Sequence, residues 1–400
     1  MKRIVIVAVL MLASLALYSQ TKYKLPPKEV VDILDALPTP LVVASPRTDA
    51  LLLVEYQAHP PIALLARPFL RLAGVRIDPE LNARQRLTQY TGISVKWIET
   101  GKLVRINLPA SARIGVPQWS NDGKRLAFTR DVENGVELWI ADALTGKARA
   151  IPGVRVNEVL GVPFDWTKDN VNLLARLVPS GERKTPEQPK VPLGPVVEES
   201  SGKISRVPTY QDLLKDPFDE KLFEFYSTSQ LALVNAQTGE VKTISVPSII
   251  SSASFSPDEQ YLLVTSLKSP FSYRVPYNLF ARKTEVWDQR GNVVATISDL
   301  GISDEVPSQG VPTGPRSVDW QTLHNAKLVW VEALDGGDPM KKVPFRDNVM
   351  SFDAPFKGSP TEVMKVQHRY SGFEWTANRD KAILAETDRD RRWRTSSLVD

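Results

Sequence analysis

The amino-acid sequence predicts an all-β fold, and three observations support that prediction. Its 400 residues include 31 prolines against 21 glycines, and 8% of the residues are aromatic. Such a composition favours short strands and frequent turns over long helices. A pattern of one aromatic residue, a polar turn and an alternating apolar run recurs along the chain. With 42% hydrophobic and 24% charged residues, the protein is expected to be globular, with a substantial core in one large domain or two.

The recurring pattern is clearest in the stretch PQWSNDGKRLAFTR, residues 117–130. Its Trp ends one strand in the core, Ser and Asp-Gly close a tight turn, and the alternating run forms the next strand. We interpret these Trp residues as core packing rather than as catalytic groups. The same outline is found in residues 44–56, 119–128, 166–175, 255–264, 320–330 and 375–384.

Second hairpins with a glycine-containing turn follow in residues 137–151, 230–244 and 284–297. Two hairpins per repeat form a four-stranded sheet, and several such sheets arranged radially form a β-propeller. We therefore expect residues 21–400 to form a β-propeller of about six or seven four-stranded blades, one of which can be incomplete.

Insertions explain why several repeats are longer than one blade. Residues 209–230 predict a short helix, and residues 178–200 are rich in proline and mixed charge, as is typical of an exposed loop. Residues 28–40 predict a short amphipathic helix before the first strand. The apolar face expected of the helical insertion consists of Leu213, Leu214, Leu222, Phe223 and Phe225.

The first twenty residues resemble a secretory signal peptide. Lys2 and Arg3 precede an apolar run over residues 4–17, and polar residues follow. That run is shorter than the about 20 residues that a membrane span needs. We interpret residues 1–20 as a cleaved signal peptide, which predicts a periplasmic or secreted protein. An uncleaved amino-terminal anchor is the alternative.

Composition excludes several classes of function. The 50 basic and 46 acidic residues give a net charge of +4, and no Lys/Arg stripe suggests a nucleic-acid partner. The absence of cysteine excludes disulfides, thiolate metal sites and a cysteine nucleophile. No zinc motif, Walker loop or dinucleotide fingerprint is present, so no metal or cofactor is expected.

The sequence also lacks the elements of a hydrolytic triad. It contains no G-x-S-x-G motif, which positions the nucleophile of α/β-hydrolases. Its histidines, His59, His324 and His368, have no metal-ligand spacing and are interpreted as structural. The motif DGGD, residues 335–338, lacks the spacing of a calcium loop and predicts a turn. No catalytic residue is therefore assigned.

An arginine-rich segment, residues 72–93, interrupts the blade spacing. It contains Arg76, Arg84 and Arg86, together with Asp78. Arginine is suited to bidentate recognition of carboxylates, so these three residues are candidates for binding an acidic side chain. The alternative is a surface loop that braces the blades through ordinary ion pairs.

Several motifs resemble the glutamyl endopeptidases, a branch of the prolyl oligopeptidase family of serine peptidases. The longest is LLARPFLRLAGVRIDPELNARQR followed by YTGI, within residues 64–93. The matches are collinear and span nearly all of the chain after the predicted signal peptide. The others are YQDLLKDPFDEKLF (residues 210–223), SLKSPFSYRVP (266–276), TEVWD (284–288) and DGGD.

The resemblance implies a β-propeller followed by an α/β-hydrolase domain that holds the Ser, Asp and His of a serine peptidase. It also implies a peptide substrate between the two domains and cleavage after Glu, for which Arg76, Arg84 and Arg86 become candidate binding residues. No residue here matches the nucleophile motif, so the chain alone is predicted to be inactive. We expect it to be the amino-terminal, substrate-gating portion of a secreted endopeptidase, with the hydrolase domain absent.

Two other functions remain as alternatives. A free-standing periplasmic propeller could bind a protein or a glycan. A self-contained active hydrolase is disfavoured because the triad is missing. We further expect the strand near the end of the chain to lack a partner, which predicts aggregation or marginal stability for the isolated chain.

Overall fold

The computed structural model describes residues 24–181, 183–191 and 208–400, and the chain divides into two compact units, Met1–Thr39 and Pro40–Asp400. The predicted signal peptide lies outside the described residues. The first unit contains helix α1 (Lys28–Leu34), which confirms the predicted helix over a shorter span. None of its residues is buried. No helix in the described ranges is long and apolar enough to cross a membrane.

The described part of the second unit contains seven antiparallel sheets, five of four strands and two of three. The first strands are β1 (Leu41–Ala44), β2 (Ala50–Tyr56), β3 (Leu70–Leu72), β4 (Val75–Asp78), β5 (Ala83–Arg84), β6 (Tyr90–Trp97) and β7 (Leu103–Arg105). Next come β8 (Gln118–Trp119), β9 (Arg125–Val132), β10 (Gly135–Asp142), β11 (Ala148–Arg155), β12 (Phe164–Trp166), β13 (Asn172–Leu177), β14 (Gln230–Asn235) and β15 (Val241–Thr243). The remaining strands are β16 (Ile250–Phe255), β17 (Tyr261–Leu267), β18 (Arg282–Asp288), β19 (Val293–Leu300), β20 (Arg316–Trp320), β21 (Lys327–Ala333), β22 (Asp347–Asp353), β23 (Thr361–Val366), β24 (Arg369–Trp375), β25 (Ala382–Asp388) and β26 (Trp393–Val399).

Six of these sheets are blades that follow one another along the chain. Blade 1 is β1-β2-β6-β7, blades 2 to 5 are β8–β11, β12–β15, β16–β19 and β20–β23, and blade 6 is β24–β26. The seventh sheet, β3-β4-β5, is inserted between β2 and β6. Short helices α2 (Ile62–Leu65) and α3 (Pro217–Ser227) and a 3-10 turn (Tyr277–Leu279) lie in the connections.

Consecutive blades share hydrophobic cores, which makes the fold a β-propeller, as predicted. Between blades 1 and 2, Leu52 and Ile93 pack with Phe128, and all three are fully buried. Equivalent cores join blades 2 and 3, 3 and 4, 4 and 5, and 5 and 6. Successive side chains along a strand point to opposite faces of its sheet, so apolar residues on both faces pack against the neighbouring blades.

The recurring Trp residues join the first strands of neighbouring blades. In three of the four, the indole N–H donates to a main-chain carbonyl in the first strand of the preceding blade, so these strands lie side by side around the propeller axis. Blade 1 has Ala44 at the corresponding position. The hydrogen bonds, each of 3.4 Å, join Trp119 Nε1 to Val43 O, Trp166 Nε1 to Gln118 O, and Trp320 Nε1 to Ser254 O.

The polar turn after each Trp has its own hydrogen bonds. In blade 2, Ser120 Oγ donates to Asp122 Oδ1 at 2.6 Å and accepts from the backbone N–H of Arg125 at 3.0 Å. Burial alone would raise the pKa of Asp122, but hydrogen bonds from Ser120 and the backbone of Lys124 lower it below its ordinary value. The turn therefore closes the hairpin as the sequence predicts.

The connections differ at the two ends of the blades. In an antiparallel four-stranded sheet, the connection from the second to the third strand and the exit to the next blade lie at the same end. Four long insertions join the second and third strands of a blade: residues 57–89, 178–229, 268–281 and 334–346. The long exit connection from blade 4 to blade 5, residues 301–315, lies at the same end. We call this end the insertion face. The other end, the turn face, contains only short turns within the described residues.

Strand β26 pairs only with β25 in the described part of the chain. Its Trp393 and Leu398 are 63% and 64% exposed. The sixth blade therefore has three strands here and an exposed edge, as predicted for an incomplete blade.

Truncating the inter-blade Trp166 should strongly destabilise the fold. Trp166→Ala removes a buried ring and an inter-blade hydrogen bond, and should lower the free energy of unfolding by about 3–5 kcal/mol. Urea unfolding of the full chain measures this loss. Trp393→Ala, at an exposed position, should change it by less than about 1 kcal/mol. Equal losses in both variants would contradict the assigned role.

A charge on the exposed edge strand should reduce self-association of the chain. Leu398→Lys places a solvated cation on β26, where it opposes edge-to-edge strand pairing. Light scattering should show a larger monomer fraction than in the original protein. The control is Leu144→Lys in a turn-face loop, where Leu144 is 59% exposed. A similar gain in both variants would show a general effect of charge instead.

Candidate functional site

Insertions from three blades pack together above the insertion face, and we call them the cap: residues 57–89, 209–229 and 268–281. Phe223 of α3 is fully buried at its centre, with its ring 5.3 Å from that of Phe271 and 5.7 Å from that of Phe280. The inserted strands add Leu72 and Ile77 to the same core. The cap is thus a second hydrophobic core, built on one face of the propeller.

Helix α3 is shorter than the predicted insertion. Asp216 caps it by accepting hydrogen bonds from the backbone N–H groups of Phe218 and Asp219, and Pro217 occupies the first turn. Leu213 and Leu214 therefore precede the helix, although Leu214 still packs in the cap core. Within the helix the buried face is Leu222, Phe223 and Tyr226, while Phe225 is partly buried.

Backbone contacts join the cap segments to one another. Gly74 has a φ of +82°, and a Cβ there would lie 2.5 Å from the Cβ of Pro276, so only glycine fits. Its N–H donates to Asp212 O at 2.8 Å, and the N–H of Tyr277 donates to Ala73 O at 2.8 Å. The LAGVR stretch of the family motif is therefore the place where three insertions meet.

The three predicted arginines lie in the cap but have different partners. Arg76 Nε lies 2.8 Å from Asp212 Oδ2. Arg86 pairs with Asp131 and, through Nη1, with Glu158 Oε2 at 3.1 Å. Arg84 Nη2 instead donates to the hydroxyl of Tyr277 at 3.1 Å. The structure does not gather them into one cluster, and their role in substrate binding stays a prediction.

Two further arginines, at the insertion ends of strands β13 and β18, were not predicted from the sequence. Arg176, in β13, is buried and donates to the carbonyls of Ile250 and Ser251 in the first strand of blade 4, at 3.0 and 3.1 Å. Its burial lowers its pKa to about 10. Arg282 begins β18, is half-buried, and has its pKa lowered by burial. The only sequence signal was an arginine inside the apolar run NLLARL, a rare position for a charge.

Glu158 ties the inserted segment of blade 1 to blade 2. Thr129 Oγ1 donates to its Oε1 at 2.7 Å, and Arg86 faces its other oxygen. Burial raises the pKa of Glu158, although the Arg86 charge and the Thr129 hydrogen bond oppose this. Arg86 therefore has a structural role, whether or not it also contacts a substrate.

A second ion-pair network joins blades 5 and 6 at the insertion face. Asp335 and Asp347 have fully buried side chains. Arg346 Nη1 lies 2.8 Å from Asp335 Oδ2, Arg369 pairs with both carboxylates, and Arg316 pairs with Asp347. The DGGD motif forms the predicted turn, and its first Asp also anchors this network.

The other candidate residues have structural contacts. His324 Nε2 lies 3.0 Å from Arg379 O, on the turn face, and the backbone N–H of His368 donates to Glu386. His59 is exposed in a loop. No cluster of His, Asp and Glu that could hold a metal ion is found in the ranges that the structure describes.

A cleft of about 650 Å³ opens between the cap and blades 1 and 2. Its lining is mostly polar and of both charges, including Arg67, Glu80, Arg113, Asp131 and Glu133. Such an arrangement can hold an extended polar chain by hydrogen bonds and ion pairs. It contains no nucleophile paired with a base among the described residues.

The fold and the site thus define the class of protein: a β-propeller capped on one face by arginine-rich insertions. No family model matches the chain. It is 38% identical over 372 residues to a probable chloroplastic glutamyl endopeptidase of Oryza sativa subsp. japonica, covering 88% of this chain and 39% of the relative. The counterpart of Arabidopsis thaliana is 39% identical over 393 residues, covering 94% and 40%.

These relationships confirm the resemblance that the motifs predict. Over most of its length the chain is similar to proteins named as probable glutamyl endopeptidases. It spans about two fifths of the length of the curated relatives it matches.

Among solved structures, the chain is similar to the acylaminoacyl peptidase of Pyrococcus horikoshii. The TM-score is 0.46 at 14% identity, covering 92% of this chain and 45% of the other. It is also similar to TolB of Acinetobacter baumannii, with a TM-score of 0.33 at 12% identity, covering 93% and 67%.

The buried Glu158 should make stability fall as the pH rises. Its pKa is raised in the folded state, so above its ordinary value of 4.5 the folded protein keeps a proton that the unfolded chain has lost. Glu158→Gln removes this dependence. The free energy of unfolding of the variant minus that of the original protein should therefore be larger at about pH 7 than at about pH 4.5. Urea unfolding at both pH values measures the difference.

The exposed Glu99→Gln variant serves as the control for replacing a carboxyl group by an amide. A Glu158→Gln variant that behaves like it would contradict the interpretation.

Proposed function

We propose that this chain is the amino-terminal, substrate-gating propeller portion of a serine endopeptidase that cleaves after Glu. The observation that supports it most is the collinear relationship to glutamyl endopeptidases over most of the chain. In this proposal a catalytic α/β-hydrolase domain, normally on the same chain, supplies the triad. The propeller selects which peptides reach that domain.

The one-sided cap supports the gating role. Three insertions share a buried aromatic core on a single face, and that face also contains the polar cleft. A peptide can pass such a covered face in an extended form, whereas a folded protein is too wide. The cap therefore provides a physical basis for size selection.

The charge of the same face supports selection for acidic peptides. Arg76, Arg84 and Arg86 of the family motif all lie in the cap. A guanidinium group binds a carboxylate through two parallel hydrogen bonds, which distinguishes Glu from Gln. We propose that at least one of these residues contacts the substrate Glu.

Loosening the cap should relax size selection. Phe223→Ala removes the central ring of the cap core, at a cost of about 3–4 kcal/mol in local stability. In the chain joined to the hydrolase domain of a glutamyl endopeptidase, this variant should cleave a folded acidic protein faster, relative to a short Glu peptide. The measurement is the ratio of the two kcat/KM values.

Phe128→Ala is the matched control, because Phe128 is an equally buried phenylalanine between blades 1 and 2. It should lower stability by a similar amount and leave the ratio unchanged. An unchanged ratio in both variants would argue against gating by the cap. Absence of any cleavage after Glu in the joined protein would argue against the proposed function as a whole.

The proposal also includes a periplasmic or secreted location, with residues 1–20 acting as a signal peptide. Amino-terminal sequencing of the protein from cell fractions tests it. A periplasmic product that begins near residue 21 supports the proposal, and a cytoplasmic product that begins at Met1 rejects it.

A free-standing propeller that binds a protein or a glycan is the second candidate, and the mixed-charge cleft of about 650 Å³ favours it. The DNA after codon 400 separates the two. A reading frame with G-x-S-x-G, then Asp and His, within roughly 300 residues supports the peptidase. A natural stop codon without such a frame supports the binding module.

A further inference from the structure

Blades 5 and 6 leave an apolar cavity between their facing sheets. Its volume is about 180 Å³. We call it the inter-blade cavity. Its apolar walls are formed by Val329, Val349 and Met364 of blade 5 and by Phe373, Trp375 and Ala382 of blade 6.

The small side chains on one face of blade 5 explain why the space exists. Toward blade 4, this sheet presents the large rings of Trp320 and Trp330. Toward blade 6, it presents Val329, Val331 and Val349 instead. Packed sheets lie about 10 Å apart, and valine side chains are too short to reach far across that distance. A gap therefore remains opposite blade 6.

Two aromatic rings of blade 6 face this gap and stay partly exposed. The ring centroids of Phe373 and Trp375 lie 5.2 Å apart, with an angle of 34° between the planes. In blades 3 and 5, Trp166 and Trp320 donate their indole N–H to the first strand of the preceding blade. Trp375 follows the same position in blade 6 but makes no such bond to blade 5 in the described part of the chain. The cavity lies where this contact is missing.

One end of the inter-blade cavity is polar and reaches the solvent. Lys327, Asp380 and Asp400 line this end. The side chains of Asp380 and Asp400 are 73% and 79% exposed. A molecule can therefore enter from here, and their carboxylates can accept a hydrogen bond from an N–H group that remains at the opening.

We propose that the inter-blade cavity binds a small planar aromatic molecule of one or two fused rings, which fastens blade 6 to blade 5. A cavity of about 150 Å³ lined by apolar side chains is large enough to bind benzene. A flat ring fits between two sheet faces and can pack on Phe373, on Trp375 and on the sulfur of Met364. Neither the cap nor a catalytic domain takes part, so the inference does not depend on the proposed function.

Isothermal titration of the full chain with indole tests the inference. Indole is a planar probe with one N–H group that can reach the polar end. It should bind at one site per chain with a Kd of about 0.1–1 mM, as expected for a ligand of this size. Hydrogen exchange should slow most in blades 5 and 6 when indole is bound, since ligand binding stabilises the elements that it joins.

Two variants alter the walls of the cavity. Ala382→Leu places a larger side chain in the space and should weaken indole binding by at least about tenfold. Phe373→Leu keeps an apolar wall but removes one ring, and should weaken binding about fivefold through loss of an aromatic contact. Thermal unfolding of each variant shows whether it remains folded.

Ala141→Leu is the matched control for Ala382→Leu. Both alanines are buried in a core between two blades, and Ala141 lies between blades 1 and 2. The added methyl groups find no cavity there, so Ala141→Leu should lower the midpoint of thermal unfolding, whereas Ala382→Leu should maintain or raise it. A second control, Leu398→Lys, changes the exposed edge strand and should leave indole binding unchanged.

A Kd for indole above about 10 mM in the original chain would overturn the inference. Unchanged binding in both Ala382→Leu and Phe373→Leu would also overturn it. An equal loss of affinity in Leu398→Lys would place indole on the exposed edge strand, which likewise contradicts binding in the cavity. Cleavage after Glu by the joined peptidase tests the proposed function separately, so either conclusion can fail while the other stands.

Discussion

The stacking of each blade on the one before it is the constraint on which the rest of the structure depends. A four-stranded sheet with apolar residues on both faces is not stable in water by itself, because neither face is covered. The five shared cores cover these faces in sequence, and in blades 2, 3 and 5 the indole N–H of a Trp joins the first strand to that of the preceding blade. The positions of all loops, including the cap, follow from this spacing.

The cap depends on the same arrangement. The connections from the second to the third strand of every blade lie at one end of the propeller. Insertions in these connections therefore meet although they are distant in sequence. Arg84 and Tyr277 are 193 residues apart and yet form a hydrogen bond, because their insertions arise from blades 1 and 4 at the same face. A contact between two loops can therefore be precise, since each loop is anchored by two strands.

The sequence predicted the local features of the fold well and its long-range contacts poorly. The Trp119 core position and the Ser120 to Asp122 turn are local, so pattern and turn chemistry suffice to find them. The inserted segment of residues 72–93 was visible as an interruption of the repeat. The partners of its arginines were not, because Glu158 and Asp212 are distant in sequence and only the folded chain brings them near. Arg176 and Arg282 were missed for the same reason.

The contrast between the two faces has a practical consequence for handling the protein. The turn face contains short, self-contained hairpin loops, and none of the long insertions begins there. Tethering the molecule to a solid support through a turn-face loop, such as the one around Leu144, would orient every copy with its cap toward the solution. Immobilised binding measurements would then sample one uniform orientation, without a linker near the arginines.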